Sequence, residues 1–284
     1  IYIYKTTETM QKRHLDRKQY FIELATTSKE FFIPYISRHY RLNGEKEALI
    51  LEIGCGDGGN LLPFSLMGCR TAGIDISAKR IADARNFFTQ HGAEGKFTVS
   101  DILSPECLPS AKYDIILCHD VIEHIGRKQL LLQRMHDLLN PSGIIFVSFP
   151  AWQMPFGGHQ QICRSNLASH LPYFHLLPAR LYKTALSAFG ESGDCIEELL
   201  SIKSSRTSIE MFEKIALNCG FDITDRQLWL INPHYKVKFG LTPTKLPKLL
   251  SCIPYLRNFL STSCFYILRH AEGNTIHSVG TCSR

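Results

Sequence analysis

Leu49-Ile50-Leu51-Glu52-Ile53-Gly54-Cys55-Gly56-Asp57-Gly58-Gly59-Asn60 is the stretch whose reading decides the fold. A short apolar run ends in glycines, and an apolar helical pattern follows from Leu61. The order predicts a strand, a tight turn and a helix. Glycine permits positive φ and lets a ligand lie against bare backbone. The helix start behind it offers free N–H groups.

Gly54, Gly56 and Gly59 also satisfy G-x-G-x-x-G, a dinucleotide fingerprint. The charges argue against that ligand. Glu52 precedes the turn and Asp57 lies within it, where a pyrophosphate needs donors and positive potential. A cationic ligand with a hydroxylated sugar suits two carboxylates better. S-adenosylmethionine, with its ammonium, sulfonium and ribose, is such a ligand. A tight turn that binds nothing is the simpler alternative, but later segments repeat the pattern.

Downstream, Thr71-Ala72-Gly73-Ile74-Asp75-Ile76 is a second apolar run ending in an acid, and Asp75 lies 19 positions after Gly56. In an open parallel sheet, such an acid accepts ribose hydroxyl hydrogens. Ser77 to Gln90 reads as a helix with a serine N-cap. A third strand, Lys96 to Ser100, leads into Asp101-Ile102, placed for an adenine amino group and ring. Aspartate also caps ordinary loops. Two such acids at successive strand ends, after one glycine turn, favour cofactor contacts. Tyr113 to Cys118 is a fourth strand, buried on both faces, and it runs into His119-Asp120-Val121-Ile122-Glu123-His124-Ile125. A helix through Leu139, stopped by Asn140-Pro141-Ser142-Gly143, precedes a fifth strand, Ile144 to Phe149. This alternation predicts a parallel, doubly wound α/β sheet.

Upstream, residues 11–40 carry apolar residues at helical spacing, and Pro34 must kink or divide the run. A helix pair on the domain edge is the simpler reading. The functional reading is a lid that brings Arg17 or Tyr20 to the cofactor. The chain has 284 residues, 44% of them hydrophobic, enough for one large domain or one domain with a cap. No apolar run approaches a membrane span. A net charge of +6 permits an anionic partner or membrane surface without requiring one. Ten scattered cysteines without C-x-x-C predict a reducing cytoplasmic setting and no structural zinc. Met10 is a candidate natural start, with residues 1–9 an extension.

On the turn Glu52-Ile53-Gly54-Cys55-Gly56, then Asp75, Asp101-Ile102 and Asp120-Val121-Ile122-Glu123-His124, the chain resembles class I S-adenosylmethionine-dependent methyltransferases. The resemblance covers residues 45–150 and extends weakly over 208–270. It implies a doubly wound, mostly parallel seven-stranded Rossmann-like sheet with a reversed last strand, Ser263 to His270. N-terminal helices would occupy 1–44, the cofactor core 45–150, a helical cap after strand five 151–205, and the rest of the core 206–284. By the same likeness, Glu52, Gly54 and Gly56 hold the methionine end, Asp75 binds the ribose, Ile76 is a further cofactor contact, Asp101 and Ile102 lie at adenine, and His119 flanks the sulfonium. Asp120-x-x-Glu123-His124 also resembles a segment of ubiquinone-pathway and small-RNA methyltransferases that can hold a divalent metal. Aspartate stands here where a glutamate is expected. A packed His124 is the simpler reading, and no metal ligand is assigned.

Two insertions, 151–205 and 232–260, are rich in aromatic residues and proline. An insertion after strand five is placed to roof a site beyond the strand ends. Methyl transfer to a hydroxyl needs alignment and a proton acceptor. His159, on a glycine-flanked loop after strand five, is the first candidate base, and His124 the second. The cap suggests an apolar or ring-containing acceptor. Leu249 to Leu260, apolar with basic residues nearby, allows peripheral contact with a membrane. No stacked-aromatic RNA module or long basic stripe is present, which argues against nucleic acid. The expected function is methyl transfer from S-adenosylmethionine to a small or lipid-like molecule at a hydroxyl. The alternatives are methylation of a saccharide or RNA end, and a non-catalytic cofactor-binding partner protein.

Overall fold

In a computed structural model, the structure describes residues 16–42, 47–104 and 111–272. Met10 and the proposed extension lie outside the described residues. Helix α1 (Arg17–Thr27) passes through a π-helical turn, Ser28–Phe32, into α2 (Ile33–Ile36). The sequence places a kink or break at Pro34. The helix instead widens one turn earlier, and Pro34 occupies the first turn of α2, where its missing N–H breaks no bond.

The alternation then runs β1 (Leu49–Ile53), α3 (Leu62–Leu66), β2 (Arg70–Asp75), α4 (Ala78–Gln90), β3 (Lys96–Val99), β4 (Tyr113–His119), α5 (Lys128–Leu138) and β5 (Leu139–Phe149). The cap region holds α6 (Asn166–His170), α7 (Ala179–Ala188) and α8 (Gly193–Ser205). After it come α9 (Ile209–Asn218), β6 (Phe221–Ile231), α10 (His234–Phe239), β7 (Thr244–Lys245), α11 (Lys248–Ser251), α12 (Leu256–Leu260) and β8 (Ser263–His270). The sheet order is β3-β2-β1-β4-β5-β8-β6-β7. Neighbours from β3 to β5 are parallel, and β8 runs antiparallel to both β5 and β6.

The sheet therefore has eight strands, not the expected seven. The addition is β7, two residues paired with Trp229 and Ile231 at the edge. A two-residue strand between Pro243 and Pro247 carries no periodic signal. Asn140-Pro141-Ser142-Gly143 also differs from expectation. It lies inside β5 as a bulge between the pairs Tyr113↔Leu139 and Ile115↔Ile144. Asp114 holds it there, accepting from Asn140 Nδ2 at 2.7 Å and from Leu49 N at 2.9 Å.

Core layers cover both sheet faces. On one face, Leu131 and Met135 of α5 and Phe212 and Ala216 of α9 pack against Leu51, Ile116, Val147 and Tyr266. On the other, Phe21, Phe32 and Ile36 join Ile81, Ala84 and Phe88 against Ile50, Leu117 and Phe146. The cap has its own small core of Ala168, Tyr182, Leu186, Ile196 and Leu199. The strand C-termini of β1, β2, β4 and β5 all open towards one edge, where the predicted site residues sit.

Candidate active site

The glycine turn is built by backbone. Gly54 (φ +69°) and Gly56 (φ +52°) take conformations that L side chains rarely adopt. A Cβ on Gly54 would come within 2.4 Å of Val121 Cγ2. That contact joins the turn to the segment after β4. Asp75 closes the turn from the next strand. Its two oxygens accept from Gly56 N at 2.9 Å and Ser77 N at 2.8 Å. One carboxylate thus fixes the turn and starts α4.

Glu52 is fully buried on β1. One oxygen accepts from Asn60 Nδ2 at 2.7 Å, and the other has no partner. Burial pushes its pKa up to about 8. A cation at the free oxygen would restore its charge, so the residue fits the ammonium of S-adenosylmethionine. Asp57 differs from the sequence reading. It forms an ion pair with Arg17 of α1, so its charge is neutralised from within the chain. The N-terminal helix is docked on the turn at two points, because a Cβ on Gly59 would meet Phe21 O at 2.7 Å.

The residues predicted for adenine stand one strand further out. Asp101 Oδ1 accepts from Leu103 N at 2.9 Å, in a turn after β3. Ile102 is buried in the sheet core, whereas Ile76, at the end of β2, is half exposed. Ser100 N donates to Asp75 O, which keeps the two acid-bearing strand ends in line.

The second group lies beyond β4 and β5. His119 Nδ1 and Ser148 Oγ are 2.5 Å apart across the two strands, and His119 Nε2 lies 3.4 Å from Asp120. Asp120 has φ +50° and is exposed. A 3₁₀ turn, Ile122–His124, follows. It is tied to the end of α8, where Ser205 Oγ donates to Glu123 O at 2.7 Å. Buried Lys128 bridges the same junction, donating to Ile125 O at 2.6 Å and to Ser205 O. Burial pulls this amine down to about 8.

His124 meets His159, with ring centroids 4.9 Å apart and planes at 79°. His159 has φ +57° and follows two glycines that are packed hard against the cap, at the start of the 3₁₀ turn Gln160–Ile162. A Cβ on Gly158 would touch His175 at 2.1 Å, and one on Gly157 would touch Trp152 O at 2.2 Å. Burial lowers the pKa of both rings, His124 to about 3. Both are therefore neutral near pH 7. Both oxygens of buried Glu123 lack a hydrogen-bond partner, with His124 Nε2 3.9 Å from one of them, and burial beside Asp120 raises its pKa. Ligand atoms of Glu123, His124 and His159 lie within 4.8 Å of one another. The set that converges among the described residues is thus not Asp120, Glu123 and His124. A carboxylate with two imidazoles, and orphaned oxygens, fits a divalent cation in kind.

Two aromatic residues lie near Asp120. Burial raises the Tyr20 hydroxyl to about 12, and Asp120 adds to the shift. Tyr235 at the start of α10 is raised the same way. Thr27 Oγ1 lies 3.0 Å from His234 Nδ1, which joins α10 to α1. The lid reading of the N-terminal helix names Tyr20, with Arg17 as its alternative. Tyr235 carried no site signal, because its placement depends on a contact between chain ends.

Residues 45–193, just over half of the chain, match the family model described as a methyltransferase domain. The chain belongs to the class I S-adenosylmethionine-dependent methyltransferases. Curated relatives include ubiquinone biosynthesis O-methyltransferases. That of Azotobacter vinelandii is 26% identical over 141 residues, 50% of this chain and 59% of the relative. That of Glaesserella parasuis is 32% identical over 118 residues, 38% of this chain and 48% of the relative. The methyltransferase spans about half the length of the curated relatives it matches. Among solved structures, magnesium protoporphyrin IX methyltransferase from Synechocystis, with bound SAH (S-adenosylhomocysteine), aligns with a TM-score of 0.52 at 14% identity, over 88% of this chain and 84% of that one. An S-adenosylmethionine-dependent methyltransferase from Clostridium acetobutylicum aligns with a TM-score of 0.54 at 12% identity, over 87% and 92%. At these identities the structures support the fold.

Proposed function

We propose that this methyltransferase moves the methyl group of S-adenosylmethionine onto a hydroxyl of a small, lipid-like, ring-containing molecule. His159 is the proton acceptor in this reading, and His124 supports it. The observation that carries the reading is the meeting of His159 and His124, from two separate loops, beside the turn that follows β4. The named activity of the ubiquinone-pathway relatives supports a phenolic acceptor.

The chemistry is a direct displacement. The hydroxyl oxygen attacks the methyl carbon while the carbon–sulfur bond breaks. The electron pair stays on sulfur, and the hydroxyl proton passes to an imidazole nitrogen of His159. Glu52, the glycine turn and Asp75 hold the donor. The half-buried histidines and the aromatic walls, Tyr20 and Tyr235, limit the access of water to the reacting hydroxyl.

A second reading rests on the orphaned Glu123 oxygens. Glu123, His124 and His159 would hold a divalent cation, which would lower the pKa of a hydroxyl brought to it. His159 would then be a ligand, not the base.

One experiment tests both readings. The chain is titrated with S-adenosylhomocysteine, with and without magnesium, and methyl transfer is followed to a prenylated catechol, a saccharide and an RNA end. The proposal expects micromolar cofactor binding and transfer to the catechol. Transfer to saccharide or RNA alone would overturn the acceptor, and binding without any transfer would favour a partner protein. Loss of transfer in chelator, restored by magnesium, would assign His159 to the metal.

A further inference from the structure

The second insertion is chemically lopsided. From Arg226 to Ala271 the sequence contains no aspartate or glutamate. The same stretch holds Lys236, Lys238, Lys245 and Lys248. Residues 252–256, Cys-Ile-Pro-Tyr-Leu, are all exposed. Leu249 is 85% exposed and Tyr255 72%. Tyr255 also has φ +63°, a strained conformation for a bulky residue. The tip is held out by what lies beneath it. Arg257 is buried and pairs with Glu210 and Glu213 of α9 at 3.0 and 2.9 Å, and Glu210 also accepts from Tyr255 N at 2.9 Å. Asn258 Nδ2 donates to the other Glu210 oxygen at 2.6 Å. A rigid base thus presents an apolar tip to solvent, which is costly unless something covers it.

A groove of about 630 Å³ lies along the same insertion. Phe31 and Trp229 line it with Leu241 and Pro243, and Lys236 and Lys245 lie at its sides. Trp229 Nε1 is buried without a partner. The nearby acid is Glu30, paired with Lys236 at 2.8 Å. The groove therefore sets Lys245, and Lys236 in its pair with Glu30, beside an aromatic floor. Its complement is an anion on an apolar body.

We infer that the insertion docks this methyltransferase on an anionic lipid bilayer. The tip at Ile253, Tyr255 and Leu256 enters the headgroup–acyl boundary. Lys245 and Lys248 meet lipid phosphates. This goes beyond the acceptor reading, and α10 connects the two, because it leads from Tyr235 at the site to exposed Phe239 and Leu241. No helix among the described residues is long and apolar enough to cross a membrane, so the contact is peripheral.

The test is cosedimentation of the full chain with phosphatidylcholine vesicles, with and without phosphatidylglycerol. No acceptor is present, so failure here and failure of the acceptor reading are separate results. Docking predicts binding that requires phosphatidylglycerol and weakens with salt. Lys245→Glu with Lys248→Glu should weaken partitioning at least ~10-fold, since each cation near an anionic surface contributes roughly 1 kcal/mol. Ile253→Asp with Tyr255→Asp should abolish it, while affinity for S-adenosylhomocysteine shows that both variants fold. Absence of binding, equal binding to neutral vesicles, or binding indifferent to both variants would overturn the inference. So would self-association of the wild type that the tip variant abolishes, because a second copy would then be the occupant.

Discussion

The two halves of the site reach the same backbone conformation by different means. On the cofactor side, positive φ is taken by Gly54 and Gly56, which adopt it freely. On the acceptor side it is taken by Asp120 and His159, which pay roughly 1–2 kcal/mol for it. The difference separates shape from chemistry. The turn needs only a path for the chain and bare backbone against the ligand. On the proposed acceptor side the same φ is held by an acid and an imidazole, groups whose chemistry glycine does not carry. The polar atoms do not divide the same way. Asp75 uses both oxygens on backbone N–H groups, whereas Glu123 uses neither. The second oxygen of Glu52, on the cofactor side, is left for a partner as the Glu123 oxygens are.

The largest expected effect breaks this comparison at His159. His159→Gly relieves the backbone while removing the base. Turnover with the true acceptor should fall by about 10²–10⁴. Affinity for S-adenosylhomocysteine should stay within about twofold, and stability should change by less than ~1 kcal/mol, because relief at φ offsets the lost ring packing. Unchanged turnover would end the candidacy of His159.

Gly54→Ala is the converse change. It adds a Cβ where φ is +69° and Val121 Cγ2 stands 2.4 Å away. The combined strain and overlap should cost roughly 2–4 kcal/mol in denaturant melts and abolish cofactor binding. Gly68→Ala is the control. Gly68 has φ +86° but nothing within 4 Å, so it should lose only ~1 kcal/mol and keep cofactor affinity. Equal losses at both positions would show that the close approach of Val121 is unimportant.

The cofactor half was legible because its signals are local. The strand of Leu49–Ile53, the glycines after it and the acids ending β2 and β3 each sit within a few residues of the element that positions them. What the sequence hid depends on distant pairing. Arg17 neutralises Asp57 from 40 residues away, which removes one of the two carboxylates that argued for a cationic ligand. Thr27 reaches His234 across 207 residues, and with that contact Tyr235 enters the acceptor side. His124 and His159 were each named as candidate bases, but their meeting could not be read from spacing. The eighth strand was invisible for another reason: two residues between prolines show no alternation.

Glu52 gives the sharpest view of how the cofactor side is completed. Its pKa is raised from 4.5 to about 8 by burial, so the folded state holds a proton that the unfolded chain has released. Its contribution to stability is therefore fully present below about pH 4.5 and is lost as the pH rises through about 8. Glu52→Gln keeps an acceptor for Asn60 and removes the titration. The variant should lose that slope and be more stable than wild type near pH 8. The cofactor should reverse the order. An ammonium at the free oxygen stabilises the charged carboxylate, so binding to wild type near pH 7 must release a proton, and binding to the glutamine variant must not. Calorimetric titration in two buffers of different ionisation enthalpy reads that proton directly. If the heats agree between buffers for wild type, Glu52 stays neutral when the site is filled, and the methionine end is held by the glycine turn alone.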